Sequence, residues 1–201
     1  MADYITTYSK TQFSPINPKE EDILIEDIGH ALSLMTRANG HFPEFYSVGQ
    51  HCINCCKEAI ARNYSNRVIL ACLLHDGSEA YLADITRPVK RHLSQYLDIE
   101  EVLQNAIYKK YLKDPLTSME STLISAIDDA MLYHEFDQYM DQQFQPAAPP
   151  ISSTPTFHLQ PFKEVEDEYI ALASKYASLV WITNFTIMNW FFMLKMLLLF
   201  L

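Results

Sequence analysis

The stretch Val68-Ile69-Leu70-Ala71-Cys72-Leu73-Leu74-His75-Asp76-Gly77-Ser78-Glu79-Ala80-Tyr81-Leu82-Ala83-Asp84 decides how the chain is read. An apolar run long enough for two helical turns leads directly into an imidazole beside a carboxylate. Two further acids, Glu79 and Asp84, follow within eight residues. A helix this apolar is buried on most sides, and ionisable groups at its end are costly to bury without partners. A divalent metal is one group that neutralises them. Imidazole together with carboxylate oxygen suits Mn, Fe, Co, Ni or Zn, with Mg less well matched. A capped helix end holding a satisfied core histidine is the competing reading at this point.

Working outward, 201 residues fit one domain with room for a sizeable core. Hydrophobic residues make up 49% and charged ones 20%, an ordinary globular balance. Neither a G-x-G-x-x-G nor a P-loop pattern occurs, so phosphate binding by a Gly-rich loop is not expected. The formal net charge of -10 argues against a nucleic-acid surface, which needs clustered Lys and Arg. It leaves room for one small phosphorylated substrate held by a metal.

Cysteines fall at 52, 55, 56 and 72, and the N-terminus shows neither the basic start nor the apolar core of a secretory signal. A reducing, cytoplasmic setting is therefore expected. The run His51-Cys52-Ile53-Asn54-Cys55-Cys56 suggests zinc, but no second Cys/His pair stands at a suitable spacing. Small buried thiols on a helix face are the preferred reading.

Helical periodicity recurs along the chain. Residues 20–36 combine an acidic start with apolar Ile25, Ile28, Leu32 and Met35 at helical spacing. Ser47 is placed to cap a helix over 48–62, and Asn66 one over 67–76. A short helix holding Glu79 and Asp84 ends at Arg87-Pro88, and longer helices are expected over 94–113 and 117–141. Residues 1–19 read as an irregular or weakly stranded lead-in. With no convincing strand pair and no internal repeat, the fold class is all-α. Residues 1–145 form the core with its lead-in, 146–161 a Pro-rich loop without charge, and 162–201 a C-terminal helical segment. From Leu179 onward Lys195 is the lone charge. Three readings of this end stand side by side: a helix buried in the core or an oligomer interface, a membrane-associating tail, and an atypical end without a selected role. Membrane association is the less favoured partner.

Four candidate ligands come from separate elements: His51, His75 with Asp76, and Asp128 inside Leu123-Ile124-Ser125-Ala126-Ile127-Asp128-Asp129-Ala130. An antiparallel helical bundle can gather such positions in its interior. The order His51, His75-Asp76, Asp128 resembles the HD-domain metal-dependent phosphohydrolases. The run from His75 through Pro88 to Lys90 is similar to their bacterial 5'-deoxynucleotidase-like branch, whose pattern is close to H-D-A-S-E-x-x-x-G-D-x-x-x-P-x-K. An arginine upstream of the first histidine belongs to that pattern, and Arg37 fills its place. The likeness covers approximately residues 25–140.

The resemblance implies an HD-type helical bundle in which His51, His75, Asp76 and Asp128 hold one divalent ion. Asp129, next door, leaves the register of the last ligand open. Glu79, three residues beyond Asp76, would share its helix face and handle the proton of an attacking water. Asp84 would orient the sugar or assist the leaving oxygen, Arg37 would grip phosphate and Lys90 would add a point charge. Arg87, His41 and His92 receive no role. Three departures stand out: Gly77 in place of the usual alanine, Ala83 in place of a frequent glycine, and Ala38 where the nucleotidases carry a large aromatic near the sugar.

The expectation is a phosphohydrolase that removes phosphate from a small monoester, a (deoxy)nucleoside 5'-monophosphate by preference. It would work with one divalent ion among Mn, Co, Fe, Ni, Zn and Mg. A phosphodiesterase of the same superfamily and a non-catalytic nucleotide-binding module are the alternatives. No nucleic-acid partner is expected, and a homodimer is compatible with the bundle.

Overall fold

Side-chain caps set three of the helix starts. Ser47 accepts from the Gln50 amide and opens α2 (Val48–Ala61), after α1 (Ile25–Leu34). Ser65, rather than the expected Asn66, accepts from Val68 N and opens α3 (Asn66–Leu74). Thr117 and Glu120 form a reciprocal capping box at the head of α7 (Ser118–Met140). Between them lie two single-turn helices, α4 (Glu79–Leu82) and α5 (Arg87–Lys90), and the long α6 (Ser94–Leu112). The last helix, α8, runs Phe162–Leu198. The computed structural model describes residues 3–142 and 147–198, with side chains as far as residue 182.

The architecture is all-α, as expected, with one small exception. The lead-in forms a two-stranded antiparallel hairpin, β1 (Ile5–Thr6) and β2 (Gln12–Phe13). Asp27 of α1 pins it by accepting from Ser9 N and Ser9 Oγ at 2.6 and 2.8 Å. Phe13 is buried and stacks on Tyr81 of α4. The single helix expected over 20–36 is instead a 3-10 turn, Glu20–Asp22, followed by α1, with Ile23 and Leu24 extended between them.

Helix α3 is the hub. Val68 through Leu74 are all buried, and α2, α6, α7 and α8 pack around them. Removing such apolar side chains from water supplies about 1.5–3 kcal/mol each before chain entropy is subtracted. Tyr169 of α8 donates to Leu73 O at 2.9 Å, satisfying a carbonyl that the end of α3 leaves without a helical partner. Helix α1 crosses α2 so closely that a Cβ on Gly49 would meet the Leu32 and Ser33 backbone at 3.1 Å.

The Pro-rich stretch returns to the body of the protein. Gln50, Asn54, Glu58 and Arg62, four residues apart along one face of α2, bond its backbone at Pro150, Ser152, Ser153, Thr156 and His158. Every fourth position shares a helix face, so a polar stripe holds the strap. Among the described residues no helix is long and apolar enough to cross a membrane. The readings offered for residues 179–201 fall mostly outside the residues whose side chains are described.

Ala83 sits at φ 112°, ψ 153°, backbone that only glycine adopts freely. Ala83→Gly is expected to raise stability by about 1 kcal/mol, relief of strain less the entropy of glycine. That corresponds to a rise of about 2–4 °C in Tm. Gly49→Ala should act oppositely, lowering stability by about 1–3 kcal/mol in denaturant titration because backbone, not a flexible side chain, blocks the added methyl.

Candidate metal centre

Three elements carry the predicted ligands to one point. His51 lies in the first turn of α2, His75 closes α3, Asp76 follows in the next turn, and Asp128 projects from the middle of α7. His51 Nε2 stands 3.2 Å from His75 Nε2, 3.2 Å from Asp128 Oδ1 and 3.8 Å from Asp76 Oδ2. His75 Nε2 stands 3.3 Å from Asp76 Oδ2 and 3.8 Å from Asp128 Oδ1. Donors placed about 2.1 Å from a shared ion lie roughly 3.0–3.4 Å apart. The cluster is close to that size and could hold a metal ion.

The outer nitrogen of each ring is engaged. His75 Nδ1 faces Cys72 O at 2.8 Å, and a carbonyl can only accept, so Nδ1 carries the hydrogen. His51 Nδ1 likewise donates to Glu135 Oε1. Both Nε2 atoms are thereby turned to the cluster, the orientation that a second ring of acceptors produces around metal-binding histidines. Burial opposes charge on both imidazoles, yet neighbouring acids outweigh it. Asp76 draws the His75 pKa well above its ordinary value, and Glu135 with Asp128 draws His51 upward despite Arg37. Asp128, although buried, is held well below the usual carboxylate range by hydrogen bonds from His51 and His75. The local field favours a cation.

Arg37 is drawn into the same cluster. Its NH1 reaches Asp76 Oδ2 at 3.4 Å, its NH2 Asp128 Oδ1 at 3.6 Å and its Nε Glu135 Oε2 at 3.3 Å. A short antiparallel bridge between Thr36 and Ser47 holds it, with Arg37 N donating to Tyr46 O and Val48 N to Met35 O. The arginine and the start of α2 are thus locked together. Beyond Arg37 the chain turns through Ala38 and Asn39, both left-handed, where no large aromatic stands.

Glu79 is 4% exposed, and its Oε2 has no hydrogen-bond partner among the described residues. Burial, reinforced by Asp76 and Asp84, pushes its carboxyl well above the ordinary range, the opposite direction to Asp128. Asp84 is also raised, chiefly by burial. Lys90 lies 3.8 Å from Glu79 Oε1 but pairs at 2.5 Å with Glu100 Oε1, so it stands beside Glu79 rather than among the ligands.

Asp128 rather than Asp129 faces the cluster. Asp129 points outward and pairs with Arg87, whose guanidinium spans Asp129 Oδ1 and Asp128 Oδ2 at 2.6 Å each. Arg87, given no role in the sequence, is therefore an exposed clamp on the outer oxygen of a candidate ligand. Glu135 was also missed. It is fully buried and binds His51, Tyr46 Oη and Arg37 together. Its signal was available: it lies seven residues, two helical turns, beyond Asp128 on the same face of α7. The cysteines are buried and free, as read, but two of them border the histidines. The donor atoms of His51, Cys55 and His75 lie within 4.8 Å of one another, as do those of Cys52, His75 and Asp76. Burial pushes the Cys52 thiol up to about 11 and Cys55 well above its ordinary value.

No family model matches the chain. The protein YfdR of Escherichia coli K12, described as uncharacterized, is 34% identical over 160 residues, spanning 79% of this chain and 85% of YfdR. An uncharacterized protein of Rhodobacter capsulatus is also 34% identical, over 102 residues that span 48% of this chain and 52% of that protein. By the extent and level of the first match, the chain belongs to the family of Escherichia coli YfdR.

Proposed function

We propose that the chain is a divalent-metal-dependent phosphohydrolase of the HD type. It removes phosphate from a small phosphomonoester, with a (deoxy)nucleoside 5'-monophosphate as the substrate class. One observation carries this reading: four donor atoms from α2, the end of α3 and α7 converge beside a largely buried arginine and a buried acid that, among the described residues, lacks a partner on one oxygen. His51, His75, Asp76 and Asp128 would hold one ion among Mn, Co, Fe, Ni, Zn and Mg. When bound, such an ion lowers the pKa of coordinated water and withdraws charge from phosphate oxygens.

The chain's own residues supply the rest. Arg37 presents a planar fork beside Asp76 and Asp128, suited to two oxygens of a phosphate and to the charge that develops on them. Glu79, buried beside Asp76 and Asp84, which push its carboxyl pKa upward, is suited to take up and return a proton at Oε2. Lys90, anchored by Glu100, adds a positive charge at the Glu79 side, and Asp84 is suited to the sugar or leaving oxygen. A pocket built only to bind a nucleotide has no need of a positioned proton carrier. The setting we infer is cytoplasmic, where four free thiols stay reduced.

The test is phosphate release from metal-stripped protein given a panel of deoxy- and ribonucleoside monophosphates with each candidate ion. Metal-dependent release is expected, and Asp76→Ala should lose both bound metal and release. Folded, metal-loaded protein that is silent on the monoesters would contradict the reading and favour a diester substrate or a binding role. Glu79→Gln should keep its metal and lose about 10²–10⁴-fold in turnover; unchanged turnover would remove Glu79 from the chemistry. Glu135→Gln keeps the shape but not the charge behind His51, and titration should show metal affinity lowered about 10–100-fold.

A further inference from the structure

Cys55 lies one helical turn beyond His51 on α2, and its Sγ stands 3.6 Å from His51 Nε2. That nitrogen is 3.2 Å from His75 Nε2, and donor atoms of the three residues lie within 4.8 Å of one another. Around one ion, nitrogen at about 2.05 Å and sulfur at about 2.3 Å are separated by roughly 3.1–3.5 Å. The His51–Cys55 and His51–His75 separations fit a shared centre.

We infer that Cys55 is a ligand on the closed side of the same ion, giving with His51 and His75 a nitrogen–sulfur donor set that favours Zn²⁺ or Co²⁺ over Mg²⁺. The inference rests on the proposed metal site and names the class of ion it takes. Exposure orders the donors. The Cys55 residue is 1% and the His51 side chain 0% exposed, whereas the Asp76 and Asp128 side chains are 18% and 21% exposed. The carboxylates thus line the solvent side, where a substrate would enter, and the thiol lies on the floor beneath. Thiolate oxygen-for-sulfur discrimination is strong: sulfur suits zinc and cobalt, and hard Mg²⁺ prefers oxygen. As the metal–sulfur bond forms, the Cys55 S–H bond breaks and its proton passes to solvent. Cys52 groups with His75 and Asp76 and not with both imidazoles, which singles out Cys55.

The experiment is a Co²⁺ titration of the metal-stripped full chain, followed by absorption. Expected are visible d–d bands together with a near-ultraviolet sulfur-to-cobalt charge-transfer band. Cys55→Ser, with Cys55→Ala alongside it in case serine disturbs folding, should keep the visible bands and lose the charge-transfer band. Cys52→Ser should keep both. Visible bands without charge transfer in the unaltered protein would overturn the inference while leaving the metal site standing. So would a charge-transfer band that survives Cys55→Ser and vanishes in Cys52→Ser. No spectral response to Co²⁺ would overturn the inference and the metal site together.

Discussion

An apolar helix that ends in charge is the constraint on which the rest of the structure depends. Helix α3 is buried from Val68 to Leu74, and His75 and Asp76 emerge from it largely buried, their side chains 8% and 18% exposed. A lone buried carboxylate or imidazolium costs several kcal/mol, so the fold must bring complementary groups to that end. Helix α7 brings Asp128 and Glu135, α2 brings His51, and the bridge at Thr36–Ser47 brings Arg37. Each of these elements also contributes apolar surface to the core around α3. Packing and electrostatics are satisfied by the same helix placements.

Around the cluster a second ring of groups sets orientation. Glu135 accepts from His51, Tyr46 and Arg37, and Cys72 O accepts from His75. With both outer nitrogens donating, the inner pair is left to accept or to bind a cation. Gln104 of α6 supports the turn itself, accepting from Ser78 N and donating to Leu74 O. Close packing there is consistent with Gly77, since a Cβ at that position would meet Leu74 O at 3.0 Å and Ile107 Cδ1 at 3.3 Å.

Much of the fold was legible because it rests on local physics. Apolar spacing marked α2, α3, α6 and α7 to within two residues, and Ser47 and Thr117 sit where caps are needed. The lead-in was legible as irregular or weakly stranded, but its pairing was not, since each strand is two residues long and is held by Asp27 and Phe13 rather than by alternation. The strap over α2 left a trace, the polar residues at every fourth position, but their partners are backbone groups roughly a hundred residues away and have no sequence signature. In the site, His51, His75, Asp76 and Asp128 could be nominated by residue type and order. Glu135 had only a helical period to mark it, and the Arg87 clamp nothing local at all. Ala83 shows the opposite case, a residue whose strain is visible only in the backbone angle.

We propose that the charge gathered at the end of α3 holds a cation between His51, His75, Asp76 and Asp128. Anomalous diffraction from crystals of the protein loaded with Mn²⁺ tests it most directly. One strong peak is expected between His51 Nε2, His75 Nε2, Asp76 Oδ2 and Asp128 Oδ1. A map with no peak there, in crystals whose Mn²⁺ concentration saturates binding in solution, would contradict it.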